Sequence, residues 1–344
     1  MPRYAAVTGW GYYAPEKVLT NKDLEGMVDT SDEWIRTRTG ICERRIAAPE
    51  ETTSTMSTVA AQHALDQARM DAIDLDLVIC ASTTPDTLMP ATACLIQENI
   101  GAANAGAFDI NTACTGFVYA LVMGAQFIQS GAYDRVLVVG GETLSRFVNW
   151  EDRNTCILFG DGAGAVVLEA SEEDGGLLSF VLGSQGSGGS LLKIPGGGAT
   201  RPASMDTVAA NEHSITMRGN EVFKFAVRSM AQAASEAIAR ANLSPDDIRM
   251  VIPHQANVRI LRATQEALGL PWEKIFVNVD RYGNTSAASI GIALSEYLAV
   301  ERPQPGDYLL FLAFGGGLTW ASAVLRWADT DAIVAAREEG PYAI

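Results

Sequence analysis

Cys114 lies in the stretch FDINTACTGF, residues 108–117, after a strand-like run and before VYALVMGAQFI, a nearly all-apolar run of helical length. A free cysteine is among the most buried residue types and, taken singly, reads as a small hydrophobe. Its setting points elsewhere. The small neighbours Thr112, Ala113, Thr115 and Gly116 permit close approach, and a helix N-terminus stabilises a thiolate through its dipole. Cys114 is therefore a candidate nucleophile. Cys80, inside an apolar run, and Cys42, Cys94 and Cys156, which lack such a setting, read as structural.

Two further side chains occupy comparable junctions. His254, one of three histidines, follows the apolar run IRMVIP and leads into QANVRILRATQEALG, an amphipathic helical pattern. A histidine there can be a cap, but at the end of an apolar strand it is better placed for chemistry than His63 or His213, which read as structural. Asn284, in RYGNTSAAS, is by itself a turn or N-cap residue. The glycine run in FGGGLTW, residues 314–320, is either a tight turn or a place where backbone N–H groups can reach a reacting carbonyl.

The elements that must position these residues alternate between strand and helix, the signature of an α/β fold. Strand-like runs cover residues 76–83, 105–111, 133–142 and 162–170, and the second half repeats the programme at 248–257, 274–289, 306–317 and 319–327. Laying FDINTACTGF over VNVDRYGNTS puts Cys114 on Asn284, which internal duplication of a β/α unit explains economically. Residues 183–205, rich in Gly, Ser and Pro, read as a long loop. In such units the crevice lies beyond the carboxyl ends of the strands, and Cys114, His254 and Asn284 each sit at such an end.

At 344 residues and 48% apolar content the chain can bury a sizeable core, as two domains or one duplicated one. No apolar run approaches the roughly 20 residues of a membrane span, and the opening MPRYAAVTGWGYYAPE lacks the basic and apolar regions of a secretory leader, so a cytoplasmic location is expected. Five cysteines, without a C-x-x-C pair, read as reduced thiols. A net charge of -16 argues against nucleic-acid binding, which phosphate neutralisation drives.

Seven ordered motifs carry a resemblance. TSDEWIRTRTGI, NTACTGF, DRNTCILFGDGAGAVVL, GNEVFKFAV, IPHQANVRI, RYGNTSAAS and AFGGGLTW follow one another as they do in the beta-ketoacyl-acyl-carrier-protein synthase III family of the thiolase superfamily, over about residues 3–326. The resemblance implies a duplicated thiolase-like fold, two similar βα halves with mixed sheets in α/β/α/β/α layers. Residues 1–175 would form the half carrying the cysteine, 176–328 the half carrying His and Asn, and 329–344 a tail for which a short amphipathic helix is expected.

By the same resemblance, Cys114, His254 and Asn284 match the catalytic set, and the N–H groups of Cys114 and Gly316 match the oxyanion hole. The implied reaction is attack of the cysteine on an acyl-CoA, then decarboxylation of malonyl-acyl-carrier protein and carbon–carbon bond formation to a 3-oxoacyl product. Thr30, Trp34, Arg38, Arg153, Phe223, Asn257 and Ile260 match positions along the CoA path. Gln255, Ala256, Asn257, Val258 and Arg259, with Lys224, match the carrier-protein contact, where Arg262 and Arg228 would enlarge a local basic patch. Met89, in TTPDTLMP, matches a residue that closes the partner's acyl pocket in a homodimer. The CoA thioester is a substrate, and neither a cofactor nor a metal is expected.

Rival functions remain at this level. A starter condensing enzyme of polyketide or other specialised metabolism would share the three catalytic residues and differ in its acyl group. A cysteine thioester hydrolase would form free acid without a malonyl thioester, and a non-catalytic acyl-binding subunit would have no chemical need for Cys, His and Asn together.

Overall fold

In the computed structural model, which describes residues 3–339, the apolar runs assemble into two sheets. β1 (Tyr4–Tyr13), β2 (Leu77–Ala81), β3 (Gly106–Ile110), β4 (Arg135–Glu142) and β5 (Gly162–Ser171) form the first, in the order β1-β5-β4-β2-β3. β2 runs parallel to β3 and β4, and β5 antiparallel to β4 and β1. The second sheet contains β6 (Gly176–Ser184), β7 (Ile248–Pro253), β8 (Tyr308–Gly315) and β9 (Thr319–Arg326), in the order β7-β8-β9-β6. Here β7 and β8 are parallel, and β9 is antiparallel to both β8 and β6.

Counted from the first strand of each half, the two orders are the same but for one strand. The counterpart of β3 shrinks to a single parallel bridge, Val251 to Ile275. This corrects the strand-like reading of residues 274–289. The Gln255 side-chain oxygen accepts the backbone N–H groups of Asn278 and Val279, at 3.0 and 3.2 Å, which a longer strand would spend on its neighbour. The chain instead makes a one-turn helix, Val279–Tyr282, before the Asn284 turn.

Among the described residues there are eight helices of eight or more residues: α1 (Asp32–Thr39), α2 (Thr53–Ala68), α3 (Thr92–Ile100), α4 (Gly116–Gln129), α5 (Gly219–Arg240), α6 (Val258–Leu268), α7 (Ala288–Val300) and α8 (Thr330–Glu339). α4 and α7 fill the space between the sheets, where one core joins Phe117 and Leu121 of α4 and Ile290 and Leu294 of α7 to Ile79, Val138 and Phe311 of the strands. α2 closes the outer face of the first sheet, and α5 with α6 that of the second. Strands covered on both faces carry near-continuous apolar sequence, as β2 and β5 do. The result is the expected α/β/α/β/α layering.

One close approach sets the height of α7 over the first sheet. A Cβ on Gly164 of β5 would stand 2.5 Å from the carbonyl carbon of Gly291, so only two glycines let this strand and helix touch. The expected tail helix is present as α8, which buries Ile333 and Val334 and sends Arg337 to the Glu169 carboxylate of β5 at 2.6 Å. Residues 340–344 of the expected tail lie outside the described residues. The Gly-rich segment at 183–205 starts in β6, makes a tight turn over Gly186–Leu191, and pairs Leu192–Lys193 with Thr216–Met217. Among the described residues, no helix is long and apolar enough to cross a membrane.

Candidate active site

The cysteine turn is a single 3-10 turn, Ala113–Thr115, wedged between β3 and α4. Ala113 adopts φ 51°, a left-handed conformation that non-glycine residues enter at a cost of about 1–3 kcal/mol. The surroundings enforce it. The Thr319 hydroxyl lies 3.1 Å from the carbonyls of both Thr112 and Gly316, tying this turn to the glycine loop after β8. Gly315 packs so near that a Cβ there would stand 2.8 Å from the Cys114 nitrogen. Among the described residues, the N–H groups of Cys114 and Gly316 find no acceptor on another residue, which leaves both for a ligand oxygen.

Cys114 is 7% exposed. Burial pushes its thiol up to about 12, opposed by the Ser286 hydroxyl and reinforced by the Glu142 carboxylate. The dipole of α4 acts with the hydroxyl to favour thiolate. The resting group is the neutral thiol.

His254 extends the β7–β8 ladder by one bond, its N–H donating to the Leu312 carbonyl at 2.7 Å. Its ring is buried edge-on to Phe314, with centroids 5.6 Å apart, and burial depresses its pKa to about 3. Nδ1 stands 2.6 Å from the Ser289 hydroxyl of α7, and that oxygen also accepts the Gln255 N–H at 3.4 Å. A hydroxyl that accepts there has its proton free for Nδ1, and this pairing assigns the proton of the neutral ring to Nε2. Nε2 is buried without a protein partner among the described residues.

Asn284 is pinned through its backbone, N–H to the Leu158 carbonyl at 2.8 Å and carbonyl to the Gly160 N–H at 3.1 Å. Its side-chain oxygen accepts the Ser286 N–H at 2.9 Å, which fixes the amide so that the NH2 group is the free end. Ser286 takes φ 49°, the second left-handed non-glycine residue of the site.

These three residues line one cavity of about 520 Å³. Its wall continues through Phe223, Ala256, Asn257, Arg259 and Ile260 to Trp34 and Arg38 at the mouth. A smaller chamber of about 70 Å³ also reaches Cys114, against Gly316, Ser286, Thr83, Leu144 and Ile215. A larger groove, about 840 Å³, lies beneath α8 and contains none of the candidate residues.

The profile of 3-oxoacyl-[acyl-carrier-protein (ACP)] synthase III matches residues 108–186, and that of its C-terminal part matches residues 238–327. The beta-ketoacyl-[acyl-carrier-protein] synthase III of a Roseiflexus species is 56% identical over 327 residues, 95% of this chain and 99% of its own. The chain belongs to the 3-oxoacyl-[acyl-carrier-protein] synthase III family. The crystal structure of that synthase from Aquifex aeolicus superposes with a TM-score of 0.87 at 49% identity, over 94% of this chain and 100% of the other. The priming beta-ketosynthase from the R1128 polyketide biosynthetic pathway superposes with 0.88 at 36% identity, over 96% and 98%.

The synthase brings most of the sequence candidates to that one cavity but leaves several apart. Arg153 stands over the Trp34 ring at 4.8 Å, with its guanidinium also donating to the Asp29 carbonyl at 2.8 Å. Thr30, whose hydroxyl is buried without a partner among the described residues, does not line the cavity. Asn257 caps α6 and reaches the Arg38 carbonyl at 3.0 Å, joining α6 to α1.

Of the residues expected to meet a carrier protein, Lys224 and Arg259 are exposed, and Arg259 stacks on Phe223 at 5.3 Å. Val258 is half-buried there. Gln255 requires a correction. It is 1% exposed, and its amide NH2 donates to the Pro253 and Phe276 carbonyls while its oxygen holds Asn278 and Val279. Every polar atom of that side chain is used inside, so it shapes the segment and offers nothing to a carrier protein. Ala256 is buried on the cavity side. Met89 is 87% exposed beside Leu88 on the loop after β2.

Sequence reasoning passed over Ser286, Ser289, Thr319 and Glu142. The two serines lie inside the quoted RYGNTSAAS, yet nothing local marks a serine that bonds a histidine 35 residues away.

Proposed function

We propose that this synthase condenses an acyl-CoA primer with malonyl-acyl-carrier protein, through an acyl-Cys114 intermediate, to give a 3-oxoacyl-carrier product that starts fatty acid synthesis. What carries the reading is the orientation of two donors over one nucleophile: the Nε2–H of His254 and the NH2 of Asn284 are the free ends of their side chains in the cavity that holds Cys114.

Cys114 attacks the thioester carbonyl, CoA leaves, and the acyl group is kept as a thioester in the small chamber. The N–H groups of Cys114 and Gly316 hold the oxyanion that forms in this attack and in the later one. When the malonyl thioester loses carbon dioxide, negative charge gathers on its thioester oxygen, and His254 and Asn284 donate to it. A donor aimed at charge that exists only in the transition state lowers the barrier without tightening the ground state. A histidine held neutral by burial donates there without adding a buried cation. The enolate carbon then attacks the acyl-Cys114 carbonyl.

Trp34, Arg38 and Arg153 receive the CoA head in this scheme, with Thr30 beside them and Phe223, Asn257 and Ile260 along the pantetheine path. Val258, Arg259 and Lys224 meet the acidic carrier protein. The exposed Leu88 and Met89 suit a homodimer contact in which Met89 closes the partner's acyl chamber. The free cysteines and the thioester substrates fit the reducing cytoplasm.

Intact-protein mass spectrometry with a panel of acyl-CoAs tests the proposal. A Cys114-dependent adduct discharged by malonyl-carrier protein, with 3-oxoacyl-carrier appearing, is the expected result, and the preferred acyl group separates fatty acid initiation from polyketide priming. An adduct discharged only by water would replace the condensing function with hydrolysis.

A further inference from the structure

The backbone of Asn284 hangs on a segment from the other half of the chain, residues 158–160, through the Leu158 carbonyl and the Gly160 N–H. Whatever holds that segment therefore holds the donor. The side chain that reaches it is Arg44, in the short strand Glu43–Arg45 that pairs with Val18–Thr20.

Arg44 has no exposure to solvent, which is rare for a charged side chain without a counter-charge. Among the described residues no carboxylate forms an ion pair with it. Its partners are neutral oxygens instead. Nη2 donates to the Ile157 carbonyl at 2.6 Å, both terminal nitrogens donate to the Asn21 side-chain oxygen at 3.0 Å, and Nη1 also reaches the Leu19 carbonyl at 3.1 Å. Burial lowers its pKa to about 10, which leaves it a cation at neutral pH. An apolar side chain of similar volume would fill the space without the desolvation penalty of a buried charge. What the guanidinium adds is a hold on three stretches of chain at once.

The stem of Arg44 is packed against the same place. A Cβ on Gly160 or on Gly283, the residue before Asn284, would stand 3.1 Å from the Arg44 Cβ. Backbone bonds fasten the neighbourhood on both sides: the Cys42 N–H donates to the Asp280 carbonyl, ahead of Asn284, and the Asp161 N–H to the Arg45 carbonyl, each at 2.9 Å. Asn21 carries the connection further, its amide NH2 donating to the Asp32 carboxylate at 2.9 Å and to the Ile41 carbonyl at 2.8 Å. Asp32 opens α1, so one guanidinium ties that helix and the Asn284 turn to one frame.

We propose that Arg44 is a positioning residue for decarboxylation: through the Ile157 carbonyl it holds the segment that fixes Asn284, and so sets where the NH2 of Asn284 meets the enolate oxygen. Arg44 does not line the cavity and acts only through that segment. The cysteine turn is held from elsewhere, by Thr319 and the glycine loop, so acylation does not depend on it.

This inference rests on the reading of Asn284 as a donor to the enolate, and its test keeps the two apart. Malonyl decarboxylation and Cys114 acylation are timed in the wild type, Arg44→Lys, Asn284→Ala and the double variant. Lysine keeps the charge but lacks the planar fork that spans two acceptors. Arg44→Lys is expected to slow decarboxylation by about tenfold to a hundredfold, the penalty for moving a reacting group by about 1 Å, with acylation little changed. In the Asn284→Ala background it should slow decarboxylation no further, because the group it positions is gone. Should Arg44→Lys fail to fold, Asn21→Ala, which removes the acceptor shared by both terminal nitrogens, carries the same cycle. Equal slowing of both half-reactions, the same slowing in the Asn284→Ala background, or wild-type decarboxylation in Arg44→Lys would overturn the positioning role. Wild-type decarboxylation in Asn284→Ala alone would sink the reading of Asn284 itself.

Discussion

The Ser289 hydroxyl of α7 and the Nδ1 of His254, which follows β7, lie 2.6 Å apart in the dry middle of the molecule. Through this contact the inter-sheet helix holds the ring by Nδ1 and leaves Nε2 as its free nitrogen. Replacing Ser289 with alanine leaves Nδ1 buried and unpaired, at a cost of about 1–3 kcal/mol. Malonyl decarboxylation is therefore expected to slow by roughly tenfold to a hundredfold, with Cys114 acylation little changed. Carbon dioxide release measured beside the acylation rate checks it. An equal loss of both steps would mean that Ser289 only supports the fold.

Asn284 separates the two half-reactions more sharply. With its oxygen held by the Ser286 N–H, only its NH2 can face an enolate. Asn284→Ala should retain acylation and lose decarboxylative condensation by about 10²–10³, the usual loss for one oxyanion donor. Asn284→Asp should be worse than alanine, because a carboxylate repels the developing charge. Alanine and aspartate variants of equal rate would contradict the role.

How much of this was legible in the sequence follows from the range of each interaction. Cys114 and His254 stood out because reactive types sit where an apolar run gives way to a helix, whereas Asn284 read as a turn residue until the family resemblance singled it out. The repeat of β2–β4–β5 in β7–β8–β9 was visible as recurring apolar runs. The missing partner of β3 was not, since it depends on a Gln255 side chain that captures the backbone more than 20 residues later. Nor could sequence place Gln255 inside, because motif position says nothing of which way an amide turns. Ser286, Ser289 and Glu142 acquire meaning only when α7 docks between the sheets.

That docking height is set by Gly164 and Gly291. A Cβ on Gly164 meets backbone, which cannot swing aside as a side chain would. Gly164→Ala is expected to destabilise the protein by about 1–3 kcal/mol or more and to disturb decarboxylation through Ser289 and Asn284. Chemical denaturation of the variant against the wild type reads the first effect. No change in midpoint would show that α7 can lift without penalty.

Arg259 lines the cavity that holds Cys114, and is exposed and stacked on Phe223. Rim charges act mainly on association. Arg259→Glu should raise the KM for malonyl-carrier protein, with a weaker dependence on salt than the wild type shows, and should leave kcat nearly unaltered. The same rise with malonyl-CoA, which lacks the protein surface, would assign the residue to the thioester arm instead.

Burial of His254 predicts a pH dependence of stability with a definite sign. In the unfolded chain the imidazole takes up a proton near its ordinary value of about 6.5, whereas the folded ring stays neutral until about 3. Between these limits the unfolded state binds the extra proton, so stability rises with pH and falls as pH drops from 6.5 towards 3, by up to about 1.4 kcal/mol per unit for one group. Other buried groups titrate nearby, including Glu142 and Asp161, whose carboxyls burial raises. The comparison with His254→Gln isolates the histidine, since glutamine does not ionise. Urea denaturation at pH 7, 5.5 and 4.5 should show the wild type losing its advantage over that variant as the medium becomes more acidic. A constant difference across that range would mean that the folded histidine titrates normally.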